Sequence, residues 1–135
     1  MDEKQAYLRV AERSIDASDE LVKKDHQEAS AFFSYHAFES LGGAVCSHVG
    51  LRYSLSHRAK ISQFLAAAKT IGIKHGVKRV SIIMASIDRN MCLYPKKELG
   101  NHHSIPENRL NVSDAKDINK RIKGVNKVVR RAINT

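Results

Sequence analysis

The chain lacks tryptophan and has only 2 prolines and 7 glycines among its 135 residues. Because proline and glycine most often interrupt helices, their scarcity favours long helical segments. Cysteine is also scarce, and Cys46 and Cys92 lie far apart without the CxxC spacing of a zinc site. Two isolated cysteines argue against a disulfide-rich scaffold, and they are typical of a protein from the reducing cytoplasm.

Long apolar runs are missing as well. The charge-free stretch at residues 40–51 is too short to cross a bilayer, which takes about 20 apolar residues. The first five residues are polar and acidic, unlike the start of a signal peptide. We therefore expect no membrane association and a cytoplasmic location.

Acidic residues are outnumbered, with 14 Asp and Glu against 23 Lys and Arg, a formal charge of +9. Residues 1–30 hold 5 basic and 8 acidic residues, whereas residues 31–95 hold 8 and 2, and residues 96–135 hold 10 and 4. An acidic first segment thus precedes a basic body. A basic surface attracts phosphate groups through Coulomb forces and counterion release. The same charge also fits a solvated surface without a nucleic-acid partner, and charge alone leaves both interpretations open.

Apolar residues recur at steps of three and four through most of the chain, the period of amphipathic helices. The pattern predicts helices at residues 3–23, 25–49, 57–71, 77–93 and 113–133, with Asp25 and Ser113 as helix caps. Residues 95–112 are polar, contain both prolines and predict a long irregular loop. The expected fold is an all-α, up-and-down bundle of about five helices, forming a single domain over residues 1–135.

Short motifs follow one another in a distinctive order. The second helix is long and rich in Phe, Tyr and Ala, and the third begins at His57. The fourth ends with Arg89-Asn90, followed by Tyr94 and a proline, and a Ser-Asp-Ala start at residue 113 introduces the last. In this order, over residues 6–132, the chain resembles the HEPN family of helical domains.

The resemblance implies a function in RNA metabolism. Many HEPN proteins are metal-independent endoribonucleases that act as toxins in toxin–antitoxin or phage-defence systems. Others are non-catalytic partners of minimal nucleotidyltransferases. For this chain the resemblance implies RNA as partner, a homodimer, and a cognate antitoxin or nucleotidyltransferase. It implies neither a cofactor nor a metal.

Active members of the family are similar in having an arginine followed a few residues later by a histidine. The arginine would stabilise charge on the phosphate during attack by the 2′-hydroxyl, and the histidine would move the proton. Here four residues separate Arg89 from Tyr94, which stands where the histidine is expected. Tyrosine is a poor general base at neutral pH, since a phenol ordinarily ionises only near pH ~10. The predicted catalytic set is Arg89, Asn90 and Tyr94, with His102 and His103 of the following loop as candidate sources of the imidazole.

A second match to the arginine–histidine spacing exists at Arg52 and His57, where four residues also separate the two. This alternative catalytic pair lies between the second and third helices, and it also fits a surface arginine and a helix-cap histidine. His36 and Glu39 are predicted either to form an inward polar pair beside Arg89 or to be a core histidine and a surface carboxylate.

Basic residues in the loop and the last helix are candidates for RNA phosphate contacts, and a solvated helix face is the alternative interpretation. They are Lys96, Lys97, Lys120, Lys123 and Lys127. Two functions therefore follow from the sequence. One is an RNA-cleaving HEPN enzyme, and the other is a HEPN module that binds RNA, a nucleotide or a partner protein without cleavage.

Overall fold

The computed structural model describes residues 1–87 and 89–134, apart from the side chain of Arg89. This part of the chain contains six α-helices, and the fifth is little more than one turn. They are α1 (Glu3–Lys23), α2 (Gln27–Val49), α3 (His57–Thr70), α4 (Lys74–Ser86), α5 (Arg89–Leu93) and α6 (Val112–Ile133). The predicted all-α bundle of about five helices is confirmed. No helix among the described residues is long and apolar enough to cross a bilayer.

Helix α2 forms the centre of the bundle and contacts α1, α3, α5 and α6. Its buried side chains face in all directions around the helix, as expected for a helix enclosed by its neighbours. Two consecutive glycines allow aromatic rings to approach its backbone closely. A Cβ atom at Gly42 would lie 2.6 Å from the hydroxyl of Tyr53, and one at Gly43 would lie 2.5 Å from the ring of Tyr7. Any larger residue at either glycine would therefore displace a packed tyrosine.

A buried polar network joins α1, α2 and α6. The hydroxyl of Ser18 lies 2.9 Å from that of Ser30 and 2.8 Å from that of Ser34. Asn119 of α6 donates its side-chain amide to Ser18 at 3.0 Å, and Ser30 donates to the backbone carbonyl of Ser18 at 2.9 Å. Burial of polar groups is tolerated when they bond to one another, so this network specifies how the three helices fit together.

Helix boundaries differ from the predictions at three places. Asp25 has a left-handed backbone with φ of 59°, and His26 takes the N-cap position of α2, so Asp25 does not cap that helix. The predicted helix over residues 77–93 starts earlier, at Lys74, and is divided in two. Helix α4 ends at Ser86, because Ile87 adopts an extended backbone conformation. Helix α6 begins at Val112, since the side chain of Asn111, rather than Ser113, accepts the N–H of Asp114.

The segment predicted as an irregular loop over residues 95–112 contains local structure. Strands β1 (Lys96–Lys97) and β2 (His103–Ser104) form a two-stranded antiparallel hairpin, and a 3-10 turn follows at Pro106–Asn108. Gly100 has a φ of 71° and lies in the connection between the strands. A hairpin this short is marginal by itself, so it depends on contacts with the helical bundle.

Candidate functional site

A histidine–carboxylate pair lies where α2 and α3 meet. Glu39 of α2 is only 3% exposed, and its Oε2 atom lies 2.6 Å from Nδ1 of His57, the first residue of α3. The side chain of His57 is 46% exposed. A carboxylate at Nδ1 fixes the ring orientation and, in the neutral ring, favours the tautomer whose lone pair is on Nε2. This arrangement suits a histidine that accepts and returns a proton.

The surroundings of Glu39 explain how a carboxylate is accommodated in the core. Tyr53 donates its hydroxyl to the backbone carbonyl of Glu39 at 2.7 Å. Burial raises the pKa of Tyr53, and repulsion from Glu39 raises it further, so the phenol stays protonated as a donor. The second carboxylate oxygen, Oε1, is buried without a hydrogen-bond partner among the described residues. Burying an acceptor without a partner costs stability.

His57 also lines a cavity of about 530 Å³ between α3 and the ends of α4 and α5. Pockets of this size hold small organic ligands and nucleotides. Most of the lining is apolar, with a few polar groups from α2, α3 and α5. The lining residues are Tyr35, His57, Arg58, Ile61, Ser62, Leu65, Ala85, Ile87 and Asn90. A flat apolar ligand with polar edges, such as a nucleobase, matches this composition.

Of the catalytic residues predicted from the HEPN resemblance, Asn90 is in this cavity. The side chain of Arg89 lies outside the described part of the structure. Tyr94 follows α5, is 59% exposed and does not line the cavity. The described geometry thus joins Asn90 to His57 and leaves Tyr94 on the outer surface.

The two loop histidines are in the hairpin. His103 belongs to β2 opposite Lys97, and the backbone carbonyl of His102 accepts the N–H of Glu98 at 2.8 Å. Both side chains are exposed, and neither is among the residues that line the cavity of His57. Pairing in the hairpin explains this result, because it fixes both residues on a separate surface element.

The alternative pair Arg52 and His57 is divided between different cavities. Arg52 is exposed and lines two surface pockets that do not include His57. The close partner of His57 is Glu39, 18 residues earlier in the chain. The alternative catalytic pair of Arg52 and His57 stays a prediction, and helix packing, not the connector, brings the Glu39 carboxylate to the His57 ring.

His36 and Glu39 both line a smaller cavity of about 330 Å³, which His57 lines as well. The ring of His36 is stacked on that of Phe32, with 6.4 Å between ring centres. Glu39 is buried, so the interpretation as a surface carboxylate is wrong, and its carboxylate pairs with His57. The predicted position of this pair beside Arg89 lies outside the described residues, because the side chain of Arg89 is not described.

Arg109, which no sequence motif marks, holds the end of α5 and the hairpin together. Its guanidinium donates to the backbone carbonyls of Met91 at 3.0 Å, Tyr94 at 2.8 Å and Ser104 at 2.8 Å. It also donates to the hydroxyl of Ser104 at 3.0 Å. By fixing α5, Arg109 indirectly positions Asn90. A single arginine in a polar loop gives no signal that separates it from an ordinary surface residue.

The predicted phosphate-binding lysines are all exposed, two on β1 and three on α6. Lys123 is engaged within the chain, because its ammonium lies 2.7 Å from the carboxylate of Asp19 on α1. Residues 1–87 and 89–134 contain no group of three His, Cys, Asp or Glu side chains that could hold a metal ion. The expectation of a metal-independent site remains a prediction.

Comparison with models of known protein families, with curated proteins and with solved structures gave no match for this chain. The case for its function therefore depends on the geometry of the site and on the sequence resemblance.

Proposed function

We propose that this chain is a metal-independent endoribonuclease of HEPN type, acting on cytoplasmic RNA in a toxin–antitoxin or phage-defence system. The observation that carries the proposal is the shared cavity of His57 and Asn90, with Glu39 held on His57. The sequence placed Asn90 in the predicted catalytic set with Arg89 and Tyr94, and it placed His57 in the alternative pair with Arg52. In the proposal they belong to one site, and His57 replaces Tyr94 as the group that moves the proton.

The chemistry follows from the imidazole. His57 Nε2 takes the proton from a ribose 2′-hydroxyl as its oxygen forms a bond to the adjacent phosphorus, and Glu39 stabilises the imidazolium. The bond from phosphorus to the 5′-oxygen then breaks, and the imidazolium returns the proton to that oxygen. The products are a 2′,3′-cyclic phosphate and a free 5′-hydroxyl.

Neighbouring polar groups would stabilise the transition state. The amide of Asn90 is suited to donate to a phosphate oxygen, and Arg58 supplies positive charge at the cavity wall. Arg89 keeps the role that the resemblance implies, stabilising the charge of the phosphorane. Tyr94 takes no part in the proton transfer, because its exposed side chain does not line the cavity.

The test is cleavage of total RNA and tRNA by the purified protein in EDTA. We expect His57→Ala and Arg89→Ala each to reduce the rate by a factor of about 100 or more, the usual contribution of a catalytic proton-transfer or charge-stabilising group. Tyr94→Phe is the matched control and should cleave at the rate of the parent protein. The proposal fails if His57→Ala cleaves normally, or if EDTA abolishes cleavage.

A second candidate function is a non-catalytic HEPN module that binds RNA, a nucleotide or a partner protein. The apolar part of the cavity favours it, since Ile61, Leu65, Ala85 and Ile87 could hold a base or a side chain without any reaction. A purified protein that retards RNA on a gel and leaves it intact would support this function. Copurification with a cognate antitoxin or nucleotidyltransferase would identify the partner, and light scattering would test the homodimer that the family implies.

A further inference from the structure

The segment from the second half of α2 to the residue after α4 is unusual in charge. Residues 40–87 contain no Asp or Glu. The same residues include seven basic side chains, which are Arg52, Arg58, Lys60, Lys69, Lys74, Lys78 and Arg79. Within this segment no acidic side chain offsets the positive potential, so the field of the basic residues adds up over the surface of α3 and α4.

The arrangement of these residues follows the helical repeat. Arg58, Ser62, Leu65 and Lys69 are four, three and four residues apart, which puts them along one side of α3. The first three line the cavity of His57, and Lys69 is exposed farther along the same side. The distance along the helix axis from Arg58 to Lys69 is about 16 Å.

Helix α4 also has a residue at the cavity and a basic residue on the same side of the helix. Ala85 lines the cavity, and Lys78, seven residues earlier, is exposed on the same side of the helix. Since α3 and α4 are joined by the short turn around Gly72 and contact each other, both basic side chains lie between the cavity and that turn. The α3 wall of the cavity therefore leads to Lys69, and the α4 wall leads to Lys78.

Among the described residues, no acidic side chain pairs with these basic residues and weakens their attraction for phosphate. Lys69, Lys78 and Arg79 are exposed, and no ion pair joins them to an acidic residue in the described part of the chain. On α6, in contrast, Lys123 pairs with Asp19, and Arg121 pairs with Asp117 at 2.9 Å. Two basic residues of α6 are thus neutralised within the chain. Lys120 and Lys127 are exposed without an ion pair among the described residues, but no residue of α6 lines the cavity.

We infer that the α3–α4 surface binds the sugar–phosphate backbone of single-stranded RNA, whose strand continues from the cavity toward the Gly72 turn. The inference rests on the proposed function for its substrate class. A single strand fits better than a duplex, because the cavity can accept a base only when that base is unpaired and turned out. Lys69 and Lys78 contact phosphates, and the predicted α6 lysines contribute little.

The experiment measures binding without cleavage. A short fluorescein-labelled 2′-O-methyl RNA lacks the nucleophilic hydroxyl, so its fluorescence anisotropy reports binding alone. Lys69→Glu/Lys78→Glu is compared with Lys120→Glu/Lys127→Glu, which changes the net charge equally but on α6. We expect the first variant to bind about tenfold more weakly, and its slope of log affinity against log salt to fall by about 1.4, the value for two lost contacts on a single strand. The α6 variant should bind within about twofold of the parent protein.

Equal losses in both variants, or a larger loss in the α6 variant, would overturn the inference. The parent protein is also tested on mixed vesicles of phosphatidylcholine and phosphatidylserine. If it binds these vesicles as tightly as RNA, and the α3–α4 variant does not, the surface belongs to lipid and the inference is overturned. Circular dichroism checks folding, and Lys69→Gln/Lys78→Gln replaces the double glutamate variant if that variant is unfolded. A protein that binds through α3–α4 but never cleaves unmodified RNA would sink the proposed activity and leave this inference standing.

Discussion

Two sides of the bundle use polar residues in opposite ways. Where α1, α2 and α6 meet, Ser18, Ser30, Ser34 and Asn119 are buried and bonded to one another. Where α2, α3 and α5 meet, Glu39 has a buried oxygen without a partner among the described residues, and its other oxygen holds a half-exposed histidine. None of these four network residues lines the cavity of about 530 Å³, whereas His57 on the second side does.

The difference separates groups that determine the fold from groups available to a ligand. A satisfied network offsets the cost of burying its polar groups, because each hydrogen bond is stronger away from water. A buried carboxylate costs stability, and Glu39 is proposed as a functional group because its other oxygen holds His57 at the cavity. Changes on the first side should therefore alter stability, whereas changes on the second should alter activity.

The largest effect is expected for Glu39→Gln. The amide keeps the shape of the side chain but loses the charge that stabilises the imidazolium of His57, so kcat for RNA cleavage should fall by about 100-fold. KM should stay within about twofold, because Glu39 acts through His57 rather than on the substrate. Steady-state cleavage of a short RNA measures both constants. A variant with normal kcat would show that the pair is structural.

Asn119→Ala tests the other side. It removes the hydrogen bond to Ser18 and leaves a small cavity, and should lower the free energy of unfolding by about 2 kcal/mol. Asn126→Ala on the same helix is the control, since Asn126 is only half-buried and bonds to Arg130. Urea denaturation compares the two variants. Similar losses for both would mean that the buried network contributes nothing special.

Cys46 of α2 provides a test of stability against pH. Burial raises the pKa of its thiol to about 11, from an ordinary value of 9.0. The unfolded chain ionises first, so the stabilisation is complete below pH 9 and is lost as the pH rises through 11. We expect a loss of about 2 kcal/mol over this range. In urea denaturation at the same pH values, the free energy of unfolding of Cys46→Ala should depend less on pH than that of the parent protein. Equal pH dependence in both proteins would contradict the assignment of this loss to the Cys46 thiol.

The smallest effects are expected at two helical glycines. Gly43→Ala should destabilise the protein by about 1 kcal/mol, because the clash with the Tyr7 ring outweighs the gain in helix propensity. Gly124→Ala on α6 meets no atom within 4 Å and should stabilise it by about 1 kcal/mol. Thermal unfolding measures both variants, and opposite signs are required. If both variants were stabilised, the close approach of Tyr7 to α2 would have little energetic importance.

The helices were predictable because local patterns define them. Apolar residues at steps of three and four predicted α1 over its full length, and the scarcity of proline and glycine predicted the fold class. The break between α4 and α5 was not predictable, because no proline or glycine marks it and the extended backbone of Ile87 depends on packing. The hairpin escaped prediction for a similar reason, since a two-residue strand has too little pattern to detect.

For the candidate site as well, some features followed from the sequence and others only from the tertiary structure. The sequence by itself determined the helical bundle, the basic charge of its body and the residue types that chemistry on RNA would use. Only the tertiary structure decided that His57 pairs with Glu39, that Asn90 joins it in one cavity, and that Tyr94, His102 and His103 remain outside. The physical reason is that helix periodicity is a local property. Contact between side chains 18 or more residues apart depends instead on how whole helices pack, which no short motif encodes.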